Sequence, residues 1–266
     1  MHEVRAIFHD SSRGQTPVVP SDNALFERDT PIRIVHADVV GMMVGGITAL
    51  LLQMLHPHAL RGVLDHSDFR ADMHGRLRRT ARFLAVTTYG DRDAAEQEIE
   101  RVNRIHTFVK GTLPSGEPYS ATDPETLAWV HLAEAWSFLA AHLRYVRPQM
   151  SPADQDRYFA QFAVIARKLH ADPVPDTRAQ AADLMLGMRE HLEGSAEARE
   201  VARYILSPRG TGPAAAAQPF LNAAAVDLLP PFARTMLGLK APGLGALPTR
   251  MATRAMGGTL RWAFRR

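Results

Sequence analysis

Twelve histidines and no cysteine fix where metal or redox chemistry could reside in this chain of 266 residues. Without thiols there is no disulfide framework, no Cys-ligated zinc, no iron–sulfur cluster and no thiol nucleophile. The work would fall to His, Asp, Glu or Met. Ile99, Val102, His106 and Val109 recur at i, i+3, i+7 and i+10, so His106 is presented from an apolar helix face with Lys110 one turn beyond it. Leu127, His131, Glu134, Phe138, His142 and Tyr145 form a second stripe, and His56-Pro57-His58 a third group. Such a histidine is either a neutral core residue held by one or two hydrogen bonds or a metal ligand kept neutral by its apolar pocket. His131 and Glu134 also stand at the i, i+3 spacing of a helix-borne ligand pair. A di-metal carboxylate bundle uses Glu-x-x-His in two copies with further Glu ligands. Here the order is reversed and no second copy exists. Arg76, Arg79 and Thr80 can project to one side of a helix, which spacing alone reads as a solvated basic face.

The elements that must carry these residues are helical. A polar, Pro- and Ser-containing arm occupies residues 1–34. A helix from about Val35 to His56 ends before Pro57, and Pro57 opens a short piece to Leu64. The next helix runs from about His74 to Tyr89, with Gly90 as a left-handed cap. Asp93-Ala-Ala-Glu96 reads as a capping box opening a helix to Lys110, stopped by Gly111. Asp123-Pro124, Ser151-Pro152 and Asp176 open three more, ending near Val146, His170 and Gly194. A shorter helix ends before Ser207-Pro208, residues 209–218 read as a Gly/Ala/Pro-rich loop, and short helices follow. The fold class is all-α: a single helical domain over 35–240, followed by a basic helical extension over 241–266.

Composition agrees with a globular chain, 46% apolar and 22% charged. The net charge is only +3, and all basic residues but Lys110, Lys168 and Lys240 are arginine, which never deprotonates in the accessible range. No aromatic-interleaved basic stripe appears, so no nucleic-acid partner is expected. From Arg234 to Arg266 seven basic residues meet no acid. That stretch is either a solvated basic helix or a peripheral contact with anionic lipid. The uncharged run Val39–Leu55 is 17 residues long, short of the ~20 a span requires, and is broken by Gly41, Gly45 and Gly46. A buried core helix is expected. With no apolar h-region in the first 30 residues, a cytoplasmic location is expected.

Several separate motifs, in order, resemble one family. They are Gly46-Ile-Thr-Ala-Leu-Leu-Leu-Gln-Met-Leu-His56-Pro57, His66-Ser-Asp68-Phe, Gly75-Arg-Leu-Arg-Arg-Thr80, Arg101-Val-Asn-Arg-Ile-His106 with Lys110-Gly111, Tyr119-Ser-Ala, and Trp129-Val-His131. This is similar to the catalytic domain of the rubber oxygenases (latex clearing proteins), shared with the MpaB-type oxygenases. The resemblance implies a globin-like helical core holding haem b, with His106 as the iron ligand. Arg76 and Thr80 match an arginine and a threonine that support the haem and its distal side, and they are the candidate catalytic pair. Arg79 stands where rubber oxygenase has lysine, so a lysine-capped resting iron is not expected here. Lys110 replaces an arginine, keeping charge but losing the fork. Arg76, Arg79 and Lys110 are the cations available to the propionates. His131 and His56 stand as alternatives for a second ligand. The reaction implied is dioxygen-dependent cleavage of a carbon–carbon double bond in a small apolar, isoprenoid-like substrate. The alternatives are a haem carrier or sensor without turnover, a non-haem metal oxidase using His and Glu ligands, or a helical protein that has lost its cofactor.

Overall fold

Most helices begin where proline or a short polar side chain can satisfy the orphaned first-turn amides. The computed structural model describes residues 17–67, 73–207 and 213–240, with the single helical positions 251, 253 and 255. In chain order the helices are α1 (Pro31–His36), α2 (Val39–Gln53), α3 (Pro57–His66), α4 (Met73–Tyr89) and α5 (Arg92–His106). A two-stranded antiparallel hairpin follows, β1 (Lys110–Thr112) and β2 (Pro118–Ser120), with Gly111 opposite Tyr119. Then come α6 (Pro124–Tyr145), α7 (Pro152–Lys168), α8 (Arg178–Gly187), a 3-10 turn over Met188–His191, α9 (Ala196–Leu206), α10 (Pro213–Leu228) and α11 (Pro231–Leu237). The all-α expectation holds. Asp123, Ser151, Thr177 and Ser195 each accept a first-turn amide, and Thr177 forms a full capping box with Gln180.

The centre is the pair α2 and α6. The uncharged run is indeed a buried core helix, and Leu51, Leu52 and Val44 are fully enclosed. Among the described residues no single helix is long and apolar enough to cross a membrane. The two helices approach so closely at Gly45 that a Cβ there would lie 2.9 Å from the Phe138 Cα and 3.1 Å from the Ser137 carbonyl oxygen. One turn along α2, Thr48 Oγ1 donates to the Ala225 carbonyl of α10 at 3.2 Å. Gly46 faces only the far end of the Phe138 ring, at 3.9 Å from an added Cβ. A paired prediction follows. Gly45→Ala should destabilise the protein by about 1–3 kcal/mol through overpacking against backbone. Gly46→Ala should be neutral or stabilising by up to about 1 kcal/mol through helix propensity. Urea denaturation of the two variants checks both, and equal effects would show that the α2–α6 spacing is not set at Gly45.

Four local expectations are corrected. The first long helix is divided, because Asp38 accepts the Gly41 amide at 2.7 Å and starts α2 afresh. Gly90 is not left-handed; its glycine is required because a Cβ would lie 2.7 Å from the Val86 carbonyl oxygen. The cap of α5 is Asp91, which accepts the Asp93 amide, and not Asp93 itself. That helix ends at His106 and not at Lys110. The chain turns through Thr107 to Val109 and enters β1, where Gly111 lies against the Tyr119 ring and does not stop a helix. In addition, α8 stops at Gly187, and the segment read as a loop over 209–218 is helical from Pro213. The N-terminal arm up to residue 16, the end of the His66-Ser-Asp68-Phe motif and most of the basic stretch beyond Lys240 lie outside the described residues.

Candidate active site

Four helices bring a polar group into the core. Helix α6 carries His131 and Glu134 three residues apart on its buried side, with His131 Nδ1 4.0 Å from Glu134 Oε2. From α2, Gln53 Nε2 donates to Glu134 Oε1 at 3.3 Å and to the Val130 carbonyl at 3.4 Å. Trp129 Nε1 donates to the Leu52 carbonyl at 3.2 Å, which locks the two helices in register beside this contact. Arg76 enters from α4, and His106 enters from the last position of α5. His131 meets the Phe162 ring edge-on from α7, with ring centres 6.1 Å apart.

The electrostatics identify these residues as one cluster. Burial, and then the Arg76 charge, hold the His106 imidazole below its ordinary range. Burial, and then His106, bring His131 down to about 4, so it is neutral at pH 7. Glu134 is pushed up to about 7 by burial, against the opposing pull of its Gln53 hydrogen bond and of Arg76. Arg76 is lowered to about 10, first by burial and then by the like charge of Arg79, while Glu134 acts to raise it. It remains a cation at neutral pH. Burial and the Glu134 carboxylate also raise the Tyr158 phenol well above its usual value. The cluster therefore holds a permanent, half-buried cation, two neutral imidazoles and a carboxyl group that exchanges its proton near neutrality.

Two atoms in it lack partners. The Nδ1 atoms of His106 and His131 are buried, with no hydrogen-bond acceptor or donor among the described residues. Leaving such a group unmatched costs roughly 1–3 kcal/mol. An unmatched ring nitrogen on a neutral, desolvated imidazole is the donor chemistry that metal coordination uses. Among the described residues no three His, Asp or Glu side chains converge to hold a bare metal ion.

Of the residues singled out from sequence, Arg76 and His106 meet in this cluster, and His131 joins them. Thr80 is half-buried one turn along α4 from Arg76. Arg79 is exposed, although its charge reaches Arg76. Lys110 is exposed on β1, where its carbonyl accepts from His66 Nε2 at 3.1 Å. It is no longer one helical turn beyond His106, because α5 has ended. His56 lies elsewhere, on a surface cleft. Sequence reasoning missed Gln53 and Tyr158. Gln53 had a signal in being the first polar side chain to close the apolar run; Tyr158 had none.

A family model described as ER-bound oxygenase mpaB/B′/rubber oxygenase, catalytic domain, matches residues 33–262. No curated protein and no solved structure gives a significant match. The matched region contains every residue of the α2–α4–α5–α6 cluster and nearly the whole chain. The protein belongs to the mpaB/rubber oxygenase catalytic-domain family, a family of oxygenases.

Proposed function

We propose that this oxygenase works with a non-covalent haem b, held by His106, on a small apolar substrate containing a carbon–carbon double bond. The observation that carries the reading is His106 itself: a desolvated imidazole at the end of α5, with its buried Nδ1 uncommitted and the charge of the half-buried Arg76 reaching it. The residues present fit such a group. His106 would hold the iron, and Arg76, with the more exposed Arg79 and Lys110, would offset the propionate charges. When bound, the haem supplies the dioxygen chemistry.

The chain's own residues have separable tasks. Arg76 brings a fixed positive charge into a low-dielectric site, where it favours any negative charge that develops during reaction. Thr80, one turn along the same helix, offers a hydroxyl to the same side. Glu134, pushed up to about 7 and held by Gln53, can take or release a proton near neutral pH. Leu52, Trp129 and Phe138 are enclosed, which keeps the α2–α6 side of the cluster dry. Cytoplasmic placement, with peripheral membrane contact through Arg234–Arg266, belongs to the same proposal.

The test is an absorbance spectrum of protein produced with haem supplied. A Soret band removable by acid–organic extraction is expected, together with oxygen-dependent loss of an isoprenoid alkene. A colourless protein that reconstitution with haemin leaves colourless would overturn the haem assignment. Pigment without oxygen-dependent product would instead identify a carrier or sensor.

A further inference from the structure

A second, acidic site lies apart from the buried cluster. A cleft of about 630 Å³ opens where the start of α3, the β1–β2 turn, the start of α6 and the segment around 190–197 meet. None of Arg76, Thr80, His106, His131 or Glu134 lines it. Its volume is that of a small-molecule site. Six carboxylates line it: Glu117, Asp123, Glu125, Glu190, Glu193 and Glu197. Arg61 is the one arginine in the lining, and it is already engaged, donating through Nη1 to Glu197 Oε1 at 2.9 Å and pairing also with Asp65. Even with His58 and His191 counted as cations, the carboxylates outnumber positive groups six to three. A cleft lined by one sign of charge focuses field and concentrates the opposite ion.

The second observation is His56. Its side chain lines the cleft, yet the residue is only 5% exposed, and its Nδ1 is buried with no hydrogen-bond partner among the described residues. Burial first, and then the neighbouring His58, lower it to about 4, so its ring is neutral and keeps a lone pair free to accept. Of the apolar residues in the lining, Met54, Leu55 and Leu60 are enclosed, and Pro57 and Leu113 keep partly exposed faces. A bare metal ion is a poor match, because no three ligating side chains converge among the described residues. A carbon body with a cationic head is a good one.

We propose that this cleft binds an alkylammonium-type organic cation, its head among Glu125, Glu193 and His56 and its chain along the partly exposed faces of Pro57 and Leu113. The site is independent of the oxygenase chemistry, so its test does not depend on pigment. Isothermal titration of the full chain with octylammonium chloride, octan-1-ol and octanoate separates charge from apolar contact. Octylammonium should bind saturably and weaken as salt is added. Octan-1-ol should bind at least about tenfold more weakly, and octanoate not at all. Glu125→Gln with Glu193→Gln alters two exposed side chains, which folding tolerates, and should weaken octylammonium by about tenfold or more. The His56 ring resonances should move on addition of octylammonium. Equal affinity for octan-1-ol, octylammonium binding unchanged by the double substitution, or an unmoved His56 would each overturn the proposal. So would saturable binding of zinc chloride with no response to octylammonium, which would make the cleft a metal site.

Discussion

His106→Ala is expected to give a folded helical protein that has lost most of its haem, and His131→Ala a less stable protein that keeps it. The two histidines differ in how the fold uses them. His106 is the last residue of α5 and is half-buried, so truncation removes little packing and should cost about 1 kcal/mol. His131 is mid-helix, 7% exposed and packed edge-on against Phe162. Alanine there leaves a cavity worth about 2–4 kcal/mol, partly offset because a buried unmatched nitrogen disappears with the ring. Pigment and stability should therefore change in opposite order in the two variants. Soret absorbance after reconstitution reads the first, and thermal melts followed by circular dichroism read the second. Imidazole added to His106→Ala should restore part of the band by occupying the vacated position. Pigment lost in His131→Ala and kept in His106→Ala would move the iron ligand to α6. Equal loss in two well-folded variants would indicate ligation by both histidines.

What could be read from sequence was local. Asp123-Pro124 and Ser151-Pro152 place helix starts because a cap acts on amides two or three residues away, while Asp176 fell one residue short of the actual cap, Thr177. The stripe from Leu127 to Tyr145 was legible because burial on one helix face leaves a 3.6-residue period, and all its members but the half-buried Glu134 are enclosed. The end of α5 was not legible. Its apolar spacing continues through Val109, and what ends it is pairing of Lys110–Thr112 with Pro118–Ser120 across a turn at Gly116, where φ is +91°. The meeting of Gln53 with Glu134 was invisible for the same reason: the two are 81 residues apart, and only the Gly45 approach of α2 to α6 brings them together. The acidic cleft likewise gathers residues from four separate segments, none of which carries an unusual charge run by itself. Arg76, His106 and His131 could be singled out as candidates through the resemblance and the stripes, whereas Gln53 and Glu134, whose contacts set the charge states around them, lie together only in the fold.

Acid is expected to destabilise the cofactor-free protein between about pH 6.5 and 4, with His36 a principal cause. No sequence signal marked this residue. His36 lies on α1, with Nδ1 2.9 Å from Thr88 Oγ1 and Nε2 3.4 Å from Tyr158 Oη, ringed edge-on by Phe138, Tyr158 and Phe162. Burial first, and then His142, lower it from 6.5 to about 3. A histidine whose folded value is depressed contributes stability that is fully present above 6.5 and is lost as pH falls, because the unfolded chain takes up a proton that the folded one refuses. The loss is about 1.4 kcal/mol per pH unit, or roughly 3 kcal/mol by pH 4. His56, held near 4, follows the same sign over nearly the same window. His131 does so too, but Glu134 beside it works the other way. Its folded value, near 7, lies above the unfolded one, so its contribution is present below about 4.5 and lost as pH rises through 7. That pair largely cancels across the window, whereas His36 and His56 both steepen the slope. Against a total of some 5–15 kcal/mol for a domain, two such terms are enough to unfold it. His36→Phe keeps an aromatic ring among its aromatic neighbours but leaves Thr88 Oγ1 and the Tyr158 hydroxyl without the imidazole, so it should be less stable at pH 7 by about 1–3 kcal/mol. Its stability should nevertheless fall by about 1.4 kcal/mol less for each unit of acidification, so the two curves converge toward pH 5. Urea titrations of the cofactor-free wild type and His36→Phe at half-unit steps measure both slopes. Parallel curves would show that folded His36 protonates freely, and the acid lability would then have to arise at other groups.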